Sequence, residues 1–117
     1  MKLKDVLLIE GYELTAITSK WSNLGIKSFV GLSNNIITVS KIIVPEDARN
    51  SGTGTKAMKI LTDYADKNNH TIALTPSSDF GGNKNKLIEF YKRFGFVLNK
   101  GRNKDYEISE TMYRVSR

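Results

Sequence analysis

The most regular stretch of the chain is residues 53–69, where Ala57, Ile60, Leu61, Tyr64 and Ala65 recur at i, i+3, i+4, i+7 and i+8. Lys56, Lys59, Asp63 and Lys67 mostly fall outside that stripe. The spacing predicts an amphipathic helix, ended by Asn68-Asn69-His70. Residues 36–44, ahead of it, are rich in β-branched side chains and read as a strand. Its apolar phase runs through Ile37 and Val39 and then shifts to Ile42 and Val44, a slip of one that either a β-bulge or burial of both faces produces. A short strand over residues 71–75, closed by Pro76, follows the helix. Strand, helix, strand predicts two parallel neighbours joined by a right-handed crossover.

Leu87, Phe90, Tyr91 and Phe94 return to helical spacing and Gly95 stops them, which predicts a second helix over residues 84–94. Residues 96–98 begin a strand, 99–105 form a basic polar turn, and 106–115 read as an antiparallel return strand. In the N-terminal third, residues 6–9 read as a short helix or strand, 12–18 as a strand and 25–32 as another, with turn residues from Gly31 to Asn35. There is no internal repeat and no Pro/Gly/Ser-rich linker. All 117 residues read as one α/β domain of the α+β type, a mixed sheet flanked by helices.

Composition narrows the chemistry. With 18 Lys and Arg against 12 Asp and Glu, the chain carries a formal +6, which favours an anionic partner: nucleic acid, an acidic protein or a phosphorylated cofactor. The absence of cysteine and the single histidine exclude a disulfide framework, a catalytic thiol and Cys-type zinc sites, so no metal is expected. His70 precedes its strand and belongs at the end of the sheet away from the glycine turn described next. No apolar run approaches the roughly 20 residues of a membrane span, and a cytoplasmic protein is expected.

Between the best strand and the best helix lies Arg49-Asn50-Ser51-Gly52-Thr53-Gly54-Thr55. A glycine turn into a helix N-terminus offers backbone amides and the positive end of the helix dipole, and Arg49 adds a full charge, so a pyrophosphate is the natural guest. The loop lacks the Walker spacing, and it lacks the third glycine and distal carboxylate of the dinucleotide fingerprint.

These residues resemble the GNAT superfamily of acyl-CoA-dependent N-acetyltransferases, whose central motif is Gln/Arg-x-x-Gly-x-Gly/Ala at the turn from the fourth strand into the third helix. The run from Ile43 to Gly54 fits it, and Phe90-Tyr91-Lys92-Arg93-Phe94-Gly95-Phe96 is similar to the family's second motif. The resemblance covers residues 36–115 and implies a mixed, mostly antiparallel sheet splayed between its fourth and fifth strands to admit acetyl-CoA. It implies that the amides of Asn50, Ser51, Gly52, Thr53, Gly54 and Thr55 cradle the pyrophosphate, with Arg49 beside them. It places the backbone of Ile42, Ile43 and Val44 along the pantetheine arm. The Asn that many members carry seven residues before the Tyr is Lys84 here, with Asn83 or Asn85 beside it to serve instead and Lys86 in reach of the cofactor phosphates. Tyr91 falls on the general-acid position. The strand carboxylate of many members has no counterpart in residues 36–44, which leaves Asp79, past the end of the 71–75 strand, as the best-placed carboxylate.

With only about eight residues around Trp21-Ser22-Asn23 between the first two expected strands, a compact member with a reduced N-terminal acceptor region is expected. Such an open site suits a protein or peptide amine over an enclosed small molecule. A monomer or homodimer without a membrane partner completes the expectation. Two alternatives stand beside it: a basic nucleic-acid-binding module, drawing on Lys100, Arg102 and Lys104 and less favoured, and an acyl-CoA-binding protein without catalysis.

Overall fold

The computed structural model describes residues 14–15, 17–43, 52–76 and 84–117. They form helix α1 (residues 17–23, with 14–15 also helical), strands β1 (Lys27–Ser33) and β2 (Ile36–Ile43), helix α2 (Thr53–Asn68), strand β3 (Thr71–Leu74), helix α3 (Lys84–Lys92), strand β4 (Val97–Leu98), a 3₁₀ turn (Gly101–Asn103) and strand β5 (Met112–Arg114).

The expectation of a strand over residues 12–18 fails where that segment is described, because residues 14, 15, 17 and 18 are helical. Leu14, Ile17, Trp21 and Leu24 are spaced i, i+3, i+7 and i+10; Ile17 and Trp21 are buried and the other two pack against the core. Trp21 is wholly buried and its Nε1 donates to the Ala57 carbonyl at 2.9 Å, which ties α1 to α2. Trp21, Ser22 and Asn23 therefore end a helix and do not link two strands.

The five strands lie in the order β1-β2-β3-β5-β4, with β2 and β3 parallel and every other neighbouring pair antiparallel. Asn34 and Asn35 have φ of 52° and 65°, the left-handed pair that a two-residue hairpin between β1 and β2 requires. Register places Val30, Leu32, Ile37, Val39, Ile72, Leu74 and Met112 on one face. These side chains join Trp21, Met58, Leu61, Ala65 and Phe96 in a single core.

Arg114 lies on the same face, only 5% exposed. Its guanidinium donates to both carboxylate oxygens of Asp66 at 2.8 and 3.0 Å, and its Nε donates to the Phe94 carbonyl at 2.6 Å. Asp66 Oδ1 also accepts the Arg117 amide at 2.9 Å. One buried cation thus clamps β5 to α2 and to the end of α3, and its hydrogen bond holds the Asp66 carboxyl below its ordinary value of 3.8. The carboxylate form is the one that stabilises the fold, so this contribution is full above that value and fades as pH falls through the lowered one. Replacing Asp66→Asn is expected to cost about 2 kcal/mol at neutral pH. In urea titrations the gap between variant and wild type should narrow as pH falls below the ordinary carboxyl value.

Candidate functional site

Val30 pairs with Val39 and Phe29 with Lys41, so Ser40 is an extra residue in β2. This is the bulge that the phase slip in residues 36–44 anticipates, and it re-aims the strand. The parallel ladder with β3 runs from Ile36 opposite Thr71 to Val39 opposite Leu74 and stops there. Residues 40–43 continue beside β1, and among the described residues no strand pairs with their other edge. Ile42 and Ile43 are half-buried on this released stretch. The splay expected between the strands flanking the glycine turn is thus the parting of β2 from β3.

Where they part lies a cleft of about 250 Å³ whose described walls are Thr38, Val39, Ser40, Thr75, Ser109 and Glu110. The last two come from the segment between β4 and β5, which the sequence alone reads as turn and return strand. Only Met112–Arg114 is a strand there, because Asn99 takes the carbonyls that a longer ladder would use. Asn99 is buried, and its Nδ2 donates to the carbonyls of Asp105, Ile108 and Glu110 at 3.3, 2.9 and 3.0 Å while its Oδ1 accepts the Asp105 amide at 2.7 Å. Thr75 Oγ1 accepts the Thr111 amide at 3.2 Å, and the loop is thereby stitched to the end of β3.

Gly52 is the N-cap of α2 with φ 81°, a left-handed conformation that costs other L-residues about 1–2 kcal/mol. It offers no side chain to cap its helix, and the first turn of α2 holds no acidic residue. Thr53 is buried, Thr55 is exposed, and a Cβ at Gly54 would lie 3.4 Å from Phe90 Cζ, so the start of α2 packs directly on α3. Asn85 and Lys86 lie exposed in the first turn of α3, next to Lys84. Val44, Arg49, Asn50, Ser51, Asp79 and Asn83 lie outside the described residues.

Tyr91 is the one buried residue of α3. The Phe96 amide donates to the Tyr91 carbonyl at 3.3 Å and the Gly95 amide to the Lys92 carbonyl at 3.0 Å, with Gly95 at φ 95°. This is a Schellman cap, in which the residue after the glycine packs on the residue five before it. The Tyr91 and Phe96 rings meet at 5.7 Å, and Phe90 meets Tyr91 edge-on at 5.4 Å. Among the described residues the Tyr91 hydroxyl has no hydrogen-bond partner, and burial pushes the phenol up to about 12. Folding therefore favours the protonated phenol; this stability is complete below the ordinary value near 10 and is lost as pH rises through about 12. In an alkaline ultraviolet titration, Tyr91→Phe should remove the late-ionising phenol, and alkaline unfolding between about pH 10 and 12 should become less steep.

The chain matches Ard1 from Thermoplasma volcanium with a TM-score of 0.56 at 21% identity, over 79% of this chain and 63% of that one. It matches an acetyltransferase of the GNAT family from Staphylococcus aureus Mu50 with the same score and identity, over 79% of this chain and 58% of that one. The fold is that of a GNAT-like acetyltransferase. The chain spans about three-fifths of the length of each. No protein-family profile matches it. No curated protein sequence matches it either. None of the described helices is long and apolar enough to cross a membrane.

The sequence reading did not reach Thr38, Ser40, Thr75, Asn99, Ser109 or Glu110. Ser40 was marked only by the phase slip around it. The others are brought together by strand register, which has no local signature.

Proposed function

We propose that the protein transfers the acetyl group of acetyl-CoA to a primary amine. The observation that carries this reading is the parting of β2 from β3 at Ser40, just ahead of a glycine turn into α2, in a fold shared with two acetyltransferase structures. The residues fit the donor. The first turns of α2 and α3 hold no carboxylate, and the α3 turn carries Lys84 and Lys86 where the helix dipole disfavours cations. A bound phosphate removes that conflict. The amides of Asn50, Ser51, Gly52, Thr53, Gly54 and Thr55, with Arg49, are the pyrophosphate cradle, and Asn85 and Lys86 are the contribution of α3. The released backbone edge of Ile42 and Ile43, with Val44 next in sequence, is assigned to pair with the pantetheine amides as a strand would.

Acetyl-CoA supplies an activated thioester. A backbone N–H of β2 past the bulge polarises its carbonyl. The amine nitrogen attacks, a C–N bond forms as the C–S bond breaks, and the leaving thiolate takes a proton. Tyr91 is assigned as that proton's source because it falls on the general-acid position of the motif at the end of α3. Asp79 is the carboxylate assigned to receive the proton that the amine loses.

Thr55→Glu tests the donor site. Position 55 is exposed, and a carboxylate in the first turn of α2 suits the helix dipole, so thermal stability should hold or rise. Calorimetric titration should show acetyl-CoA binding to the wild type and at least about tenfold weaker binding to the variant. Undiminished affinity in the variant would remove the first turn of α2 from the donor site, and no binding to the wild type at millimolar ligand would end the transferase reading.

A further inference from the structure

The loop that joins β4 to β5 carries groups that the transferase reading does not use. Lys100, Arg102 and Lys104 alternate along it, and all three are exposed. None of them has an anionic partner: the ion pairs among the described residues are Lys92 with Glu89 and Arg114 with Asp66. Of the two carboxylates in the same stretch, the half-buried Asp105 turns its Oδ1 to the Glu107 amide at 2.9 Å, and Glu107 is exposed. Just beyond the cations stands Tyr106, 89% exposed, with Lys104 Nζ 5.6 Å from the centre of its ring. A phenol ring left so far in water forgoes the gain that burial would give it.

The backbone beneath that ring is fixed. The buried Asn99 holds Asp105 from both sides, its Nδ2 donating to the carbonyl at 3.3 Å and its Oδ1 accepting the amide at 2.7 Å. Tyr113 Oη donates to the Asn103 carbonyl, and the amides of Asn103 and Lys104 turn back onto the carbonyls of Lys100 and Gly101 at 3.2 and 3.1 Å. On the far side of Tyr106, Ile108 is buried and its amide donates to the Asp105 carbonyl at 3.2 Å. A ligand that meets this loop therefore does not have to order its backbone, which lowers the cost of binding.

The ring decides which anion fits. An acidic polypeptide would satisfy the cations and leave Tyr106 unused, and a duplex keeps its base faces stacked on one another. A single strand offers both phosphates for the cations and free base faces for the ring. The excess of 18 Lys and Arg over 12 Asp and Glu attracts such a strand at longer range.

We propose that the loop between β4 and β5 binds single-stranded nucleic acid, with Lys100, Arg102 and Lys104 on the phosphates and Tyr106 stacked on a base. None of these residues is assigned to the acyl donor, and the inference does not rest on the transferase reading. Stacking is indifferent to base identity, so no strong sequence preference is expected.

The experiment is fluorescence anisotropy of a labelled mixed-sequence strand of about 12 nucleotides, as RNA and as DNA, titrated with the full chain at several salt concentrations. At least one of the two strands should bind, and more tightly than its own duplex. Tyr106→Ala should weaken binding at least about fivefold and Tyr106→Phe should restore it. Arg102→Gln should lower the slope of log affinity against log salt by about 0.7, the share of one phosphate contact on a single strand. Both side chains are exposed, so thermal unfolding of the variants should match the wild type. No binding to either strand at low salt, undiminished affinity in Tyr106→Ala, or an unchanged slope in Arg102→Gln would overturn the assignment. Displacement of the strand by polyglutamate as readily as by unlabelled strand would overturn it too, and would make the loop a surface for an acidic protein.

Discussion

One inserted residue governs the architecture around the site. The parallel ladder ends at Val39 and Leu74, immediately before Ser40, and past it no described strand covers the edge of β2. The insertion returns Ile42 to register with β1 opposite Ser28 while the ladder with β3 stops. Both sides of the site follow from that parting. One is the open edge of β2 past Ser40; the other is the cleft walled by Val39, Thr75 and Glu110.

A parted sheet must be held by something other than its own ladder. Beyond the last pair, Thr75 reaches the Thr111 amide and Asn99 gathers the carbonyls of residues 105, 108 and 110, so side chains do the work of strand pairing on the far wall. At the opposite end of the sheet, Arg114 bridges α2, β5 and the end of α3. Being satisfied on several sides, the buried Asn99 and Arg114 fix positions that apolar packing alone would leave adjustable.

The aromatic and glycine motif at the end of α3 has a double character. Its spacing is that of a helix cap, with Gly95 left-handed and Phe96 folded back on Tyr91, and this explains the pattern from packing alone. α1 ends in the same pair of bonds, from Ile26 to the Trp21 carbonyl and from Gly25 to the Ser22 carbonyl. Most of the fold was legible in the sequence because α2, α3 and β2 carry strong periodicity. The segment around residue 14 was misread because Leu14, Thr15 and Thr18 suit a strand, while the helical row Leu14, Ile17, Trp21 and Leu24 shows only once all four are counted together. The return strand was overextended because the backbone of residues 105, 108 and 110 serves the Asn99 side chain, a partner several residues away. The cleft was invisible because residues 38–40, 75 and 109–110 meet only through register.

The central claim is that the edge released by Ser40 receives an acyl donor. Amide hydrogen exchange with and without acetyl-CoA tests it most directly. The account predicts new protection along residues 40–43 and in the first turns of α2 and α3, with little change in β4 and β5. Protection confined to the basic loop over residues 100–104, or none at saturating donor, would contradict it.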